Sequence, residues 1–64
     1  MREAELWARL ENHLGSGYAR TWAEQYSLAA IDGRTVTEAL SAGVPCKRIW
    51  LAVWAALELP ARER

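Results

Sequence analysis

The chain has 64 residues, of which 52% are hydrophobic and 25% charged, a composition typical of one small globular domain rather than of a disordered segment. Its eight basic and eight acidic side chains cancel, whereas dedicated nucleic-acid-binding domains normally carry a basic excess. Cys46 is the only cysteine, which excludes an internal disulfide and therefore a small secreted scaffold held together by disulfides.

The first predicted helix covers residues 2–14. Leu6, Leu10 and Leu14 recur at helical spacing and therefore share one face. Gly15 follows them, and glycine commonly ends a helix because it adopts left-handed backbone angles at little cost. The first helix is therefore expected to end at this glycine.

The second predicted helix runs from about residue 17 to residue 27, with Ser16 as its expected N-terminal cap. Tyr18, Trp22 and Tyr26 repeat along it at intervals of four, which places the three aromatic rings in one row. Alanines flank this row, and their small side chains would let another helix approach closely.

A turn and a capping box introduce the third predicted helix. Asp32 and Gly33 form a strong turn signal after the second helix. Thr35 and Glu38 have the spacing of a capping box, in which each side chain binds a backbone amide of the other residue. The short helix behind this box is expected to end at Gly43.

The last predicted helix starts with Pro45 in its first turn and is closed by Pro60. It contains nine consecutive apolar residues, Ile49–Leu57. An advance of about 100° per residue places Ile49, Val53 and Ala56 on the core side. The residues expected beside this core side are Cys46, Trp50 and Leu57.

Four short helices without a strand signal predict an all-α fold, a single small domain over residues 1–64. Ala39, Gly43 and Ile49 have the spacing of a helix-turn-helix, in which a small alanine and a turn glycine let two helices cross closely. The third and fourth helices are therefore predicted to form a helix-turn-helix-like hairpin.

Over nearly its whole length the chain resembles a family of short actinobacterial proteins of unknown function. The most specific part is GRTVTEAL, followed by Gly43 and, seven residues later, by Trp50. The other matching residues are Trp7, Arg9, Gly15, Tyr18-Ala19 and Ala52-Val53. The resemblance implies a helical cytoplasmic protein encoded near DNA-repair genes, and it assigns no activity.

The chain departs from this family pattern in its last helix. Val44 stands before Pro45 where the family tends to have an aspartate, so the side-chain cap of the last helix is missing. Leu51 and Ala55 stand where the family tends to have polar residues. The second departure makes one face of the last helix more apolar than the resemblance implies.

The sequence predicts a cytoplasmic protein without membrane association. Glu3 and Glu5 fall where a signal peptide would carry its apolar core. The longest apolar run, Ile49–Leu57, is far shorter than the roughly 20 residues that span a bilayer.

Neither catalysis nor metal binding is predicted. His13 is the only histidine and Cys46 the only thiol, so neither has a partner for nucleophilic catalysis, and the two cannot complete a tetrahedral zinc site. A helical domain of this size also has little room for a substrate pocket of several hundred cubic ångströms. We therefore expect a non-enzymatic protein without a cofactor, a metal or a small-molecule substrate.

The last helix carries the predicted partner-binding surface. Leu51 and Trp54 lie opposite its core side, with charged residues nearby, and an exposed Trp-Leu pair with a charged rim is typical of an interaction hot spot. The predicted surface consists of Lys47, Leu51, Trp54, Ala55 and Glu58. Its partner is expected to be another protein or a second copy of the chain.

An accessory DNA-binding protein in a DNA-repair context is the alternative prediction. Its phosphate contacts would come from Arg34, Lys47 and Arg48, together with the basic C-terminal residues. Sequence reading in the major groove needs fork-shaped donors such as arginine or asparagine. The positions that the predicted recognition helix would present to the major groove contain only one polar side chain, Lys47, so the protein-interaction prediction is preferred.

Overall fold

The structure, a computed structural model, describes all 64 residues and contains four α-helices and no strand apart from one isolated bridge. The helices are α1 (Glu3–Leu14), α2 (Ala19–Gln25), α3 (Val36–Ser41) and α4 (Cys46–Ala56), and short 3-10 helices lie at Ala29–Ile31 and Ala61–Glu63. The predicted all-α fold is confirmed. No helix of the protein has the length and apolar character needed to cross a membrane.

Gly15 ends α1 as predicted, whereas α2 starts later than predicted. Gly15 has a φ of 87°, and its amide donates to the carbonyl oxygen of Glu11 at 2.8 Å. The carbonyl oxygen of the same glycine accepts from the amides of Tyr18 (3.2 Å) and Ala19 (3.0 Å). The predicted cap at Ser16 is wrong because this carbonyl binds the first amides and Tyr18 occupies the N-cap position.

Backbone hydrogen bonds within the connector between α2 and α3, residues 26–35, hold it in a compact turn. The amide of Leu28 donates to the carbonyl oxygen of Arg34 at 2.9 Å, and the amide of Gly33 donates back to Leu28 at 2.9 Å. Asp32 and Gly33 both have positive φ, as their turn signal predicts. Leu28 and Ile31 are buried, so this connector is part of the core.

Both hydrogen bonds of the predicted capping box of α3 are present. The amide of Glu38 donates to the Thr35 hydroxyl at 3.2 Å, and the amide of Thr35 donates to the Glu38 carboxylate at 2.9 Å. At the other end of α3, Gly43 has a φ of 81°, and the amide of Val44 binds the carbonyl oxygen of Ala39 at 3.0 Å. These local signals fix both ends of the helix, while its helix-turn-helix character relative to α4 stays a prediction.

The last helix ends at Ala56, four residues before the predicted stop at Pro60. The amide of Leu59 binds the carbonyl oxygen of Trp54 at 3.1 Å, which is the 6→1 bond of a Schellman motif. Glu58 takes the left-handed position of that motif with a φ of 54°. The chain reverses at this residue, and residues 57–64, called the C-terminal segment below, fold back over α4.

Glu58 occupies a backbone conformation that favours glycine, so we expect Glu58→Gly to stabilise the protein. A residue with a side chain pays about 1–2 kcal/mol to adopt the left-handed conformation, and glycine avoids this cost. Glycine also has more conformational freedom in the unfolded chain, which offsets part of the gain in stability. A net gain of about 0.5–1 kcal/mol corresponds to a Tm increase of about 2–8 °C. Glu11→Gly, at an exposed helical position, is the control and should lower Tm. Circular dichroism measures the thermal unfolding of both variants. A loss of stability in Glu58→Gly as well as in Glu11→Gly would contradict this prediction.

The core collects thirteen buried hydrophobic residues from all four helices and the connector. Its members are Leu6, Leu10, Ala19, Trp22, Ala23, Leu28, Ile31, Val36, Ala39, Ile49, Trp50, Ala52 and Val53. Ile49 and Val53 lie on the core side of α4 as predicted, whereas Ala56 is only half-buried and Ala52 is buried in addition. Cys46 is half-buried and packs against this core.

Candidate interaction surface

The outward side of α4 is where the sequence places a partner-binding surface. Lys47, Ala55 and Glu58 are exposed there, and Leu51 is half-buried. Arg48 is also exposed and has no hydrogen-bond or ion-pair partner within the chain. Lys47, Arg48 and Ala55 lie within about 60° of Leu51 around the helix axis.

Trp54 is half-buried rather than fully exposed as expected. Its indole Nε1 donates to the carbonyl oxygen of Pro60 at 2.8 Å, and the guanidinium carbon of Arg64 lies 5.0 Å from the centre of its ring. The sequence could not show this arrangement, because it depends on the reversal of the chain at Glu58. Trp54 therefore packs between α4 and the C-terminal segment.

Further donors on α1 and α4 bind the C-terminal segment. Lys47 Nζ donates to the carbonyl oxygen of Arg64 at 2.7 Å, and Trp50 Nε1 donates to that of Glu63 at 2.7 Å. His13 Nε2 lies 3.1 Å from the Glu63 carboxylate. Lys47 and Trp54, two of the five predicted partner-binding residues, are thus engaged inside the chain.

Four residues of the outward side remain available, and we call them the helix-4 face: Arg48, Leu51, Ala55 and Glu58. The face is apolar in its middle and carries a positive charge at the start of the helix and a negative charge just beyond its end. Arg48 was predicted only as a phosphate contact, and its place in this face is a finding of the structure. Opposite charges at the two ends let the face complement a second, antiparallel copy of itself.

A shallow depression of about 230 Å³ adjoins the helix-4 face. It is lined only by alanines, namely Ala29, Ala30, Ala52, Ala55 and Ala56. It forms because the 3-10 helix at Ala29–Ile31 packs beside α4 with small side chains on both sides. Sequence reasoning missed this depression, although the Ala29-Ala30 pair in the connector is a local signal for a close approach.

The residues of the alternative nucleic-acid prediction have different surroundings. Arg34 Nη1 lies 3.9 Å from the Asp32 carboxylate in the turn before α3, and Lys47 is bound to the Arg64 carbonyl. Of Arg34, Lys47 and Arg48, only Arg48 has no acceptor within the chain. Among the basic C-terminal residues, the guanidinium groups of Arg62 and Arg64 have no acceptor either, and that of Arg64 lies over the ring of Trp54.

The side chains that could carry catalysis or hold a metal are dispersed. No group of three or more histidine, cysteine, aspartate or glutamate side chains lies together. His13 contacts Glu63 and stacks on the ring of Trp50, with ring centres 5.8 Å apart. These contacts join α1, α4 and the C-terminal segment.

The comparisons with known proteins give one match. A protein-family model described as "Protein of unknown function (DUF3046)" matches residues 1–62, nearly the whole chain. This confirms the whole-chain resemblance to a family of unknown function. No curated protein and no solved structure gave a significant match.

Proposed function

The chain belongs to the DUF3046 family, and we propose that it is a non-enzymatic, cytoplasmic protein-interaction module that self-associates through the helix-4 face. In this proposal two copies place their α4 helices antiparallel about a two-fold axis. The helix-4 face of each copy then contacts the same face of the other, as an isologous interface requires.

The observation that carries the proposal is the symmetric placement of complementary residues about Val53. Leu51 and Ala55 lie two residues before and after Val53, and Arg48 and Glu58 lie five residues before and after it. One two-fold axis at the level of Val53 therefore places Leu51 against Ala55 of the second copy. The same axis brings Arg48 to the end of the second copy's α4, just beyond which Glu58 lies. Both the apolar contact and the charge contact are satisfied by the same axis.

The shape of the surface supports this pairing. Ala55 is exposed and forms part of the wall of the alanine-lined depression, so a leucine from a facing helix would meet little steric obstruction there. The half-buried Leu51 would gain burial by entering this space. Fully burying an exposed leucine side chain contributes about 1.5–3 kcal/mol, and Leu51 would gain the part that its existing burial leaves. Two such contacts form for each pair of copies.

The expected affinity is modest. A contact between two short helices buries less than the roughly 1,200 Å² of a standard interface, and small interfaces support transient association. The Arg48–Glu58 contacts are exposed, so each contributes about 1 kcal/mol or less and weakens with salt.

Sedimentation equilibrium over a concentration series, from about 10 μM to about 1 mM, tests self-association directly. We expect a reversible monomer–dimer equilibrium that shifts toward monomer when the salt concentration is raised. A single monomeric species throughout the series would contradict the proposal.

The second candidate function, accessory DNA binding, is supported by the exposed Arg48 without an internal acceptor. An electrophoretic mobility shift with duplex DNA at low and moderate salt tests it, because phosphate-dominated binding weakens steeply with salt. Salt-sensitive retardation that Arg48→Ala abolishes would favour DNA binding. Absence of retardation at low salt would count against it.

A further inference from the structure

The side chains of α2 and of the residues that cap its two ends form an aromatic slot on the protein surface. Its volume is about 240 Å³, and it is lined by Tyr18, Trp22, Gln25 and Tyr26. Tyr18 and Tyr26 are 54% and 46% exposed, which makes them the most exposed aromatic side chains of the protein. Trp22 and Tyr26 stack with ring centres 4.9 Å apart. The row of aromatic residues noticed in the sequence thus ends at the surface rather than in the core.

Trp22 has the one indole N–H that finds no acceptor within the chain. The indole groups of Trp7, Trp50 and Trp54 donate to Glu3, Glu63 and Pro60, respectively. No buried polar side-chain atom lacks a partner, so the Trp22 N–H lies at the accessible surface although the residue is only 6% exposed.

This unpaired donor restricts which ligands can fill the slot without a cost in binding free energy. Trp22 lines the slot, so a ligand whose hydrocarbon covered this N–H would leave the donor buried and unpaired, at a cost of about 1–3 kcal/mol. A cation would attract the aromatic faces but has no acceptor for the N–H. The matching ligand combines a flat apolar group with a strong hydrogen-bond acceptor.

A proline residue has both features, since its ring is apolar and its carbonyl oxygen accepts a hydrogen bond. Aromatic-lined grooves bind proline-rich segments because the polyproline II helix is already extended before binding. The protein contains the same contact once, between Trp54 Nε1 and the carbonyl oxygen of Pro60. Tyr18 and Tyr26 are eight residues apart, about 12 Å along a helix axis, which about four polyproline II residues would span.

We propose that the aromatic slot binds an extended, proline-containing segment of a partner protein. The Trp22 N–H donates to a backbone carbonyl oxygen of this segment, and the rings of Tyr18 and Tyr26 pack against its prolines. Gln25 supplies a further donor and acceptor at the edge of the slot. This binding site does not depend on the helix-4 face.

NMR titration of the ¹⁵N-labelled protein with an oligoproline of about ten residues tests the proposal, with a glycine–serine peptide of equal length as the control ligand. We expect the indole N–H signal of Trp22 to move downfield, those of Trp50 and Trp54 to stay in place, and half-saturation at about 1 mM or below. Trp22→Phe keeps an aromatic ring and removes the donor, and should weaken binding about tenfold.

Two further variants keep the test decisive. Tyr18→Ala removes an exposed ring without disturbing the core and should also weaken binding severalfold. Trp7→Phe makes the same chemical change outside the slot and should leave binding unchanged. The proposal is overturned if the glycine–serine peptide binds equally well, if no indole signal moves, or if the Trp22 signal moves with protein concentration alone, which would assign the slot to a second copy.

Discussion

Trp50→Ala is expected to unfold most of the protein at room temperature. Trp50 is the largest fully buried side chain, with 1% exposure, and its indole N–H binds the carbonyl oxygen of Glu63. Truncating a buried tryptophan to alanine typically costs about 3–5 kcal/mol, because a large cavity remains. Below about 70–80 residues a single hydrophobic core rarely supplies more than about 3–5 kcal/mol of net stability, so little or no folding free energy would remain in this 64-residue chain.

Trp54→Ala is the matched comparison, because the same side chain is removed one helical turn later. Trp54 is half-buried, packs against the edge of the core and binds the C-terminal segment, so we expect a cost of about 1–2 kcal/mol and a folded protein. Urea denaturation followed by far-UV circular dichroism measures both values. Equal losses of stability in the two variants would show that Trp54 belongs to the core.

Leu51→Glu is expected to abolish self-association while the protein stays folded. The substitution would bring a carboxylate against the alanine-lined depression of the second copy, whose lining residues offer it no hydrogen-bonding or charged side chain. We expect a loss of at least about 3 kcal/mol in association, or more than about 100-fold in Kd. The half-buried position limits the cost in folding to about 1 kcal/mol.

The control for this variant is Tyr18→Glu, which adds the same charge at an exposed aromatic residue away from the helix-4 face. It should sediment like the wild type. Sedimentation measures association, and thermal unfolding of each variant verifies that the fold is intact. A folded Leu51→Glu variant that associates like the wild type would show that Leu51 does not lie in the interface.

The ends of α1 and α3 were predictable from the sequence because their signals are local. Gly15 stops the first helix through its own backbone angles, and Thr35 and Glu38 cap the third through side chains three residues apart. The end of α4 was not predictable in this way. Glu58 adopts a glycine-like conformation that its side chain disfavours, and the contacts of the C-terminal segment with α4 hold it there.

The candidate site follows the same division between local and long-range information. Helix periodicity alone placed Leu51 and Ala55 on the outward side of α4. The covering of Trp54 and the depression beside Ala29 and Ala30 depend on contacts between segments distant in sequence. The unpaired N–H of Trp22 likewise depends on the folded arrangement, in which the other three indole groups have acceptors and Trp22 has none.

Reversal of the Arg48–Glu58 pair tests the antiparallel arrangement of α4 most directly. Arg48→Glu and Glu58→Arg each place two like-charged pairs across the two-fold axis, and each should raise the dimer Kd about tenfold at low salt. The double variant restores opposite charges, so its Kd in sedimentation equilibrium should be near that of the wild type. A double variant that associates as weakly as the single variants, or more weakly, would contradict the proposed interface.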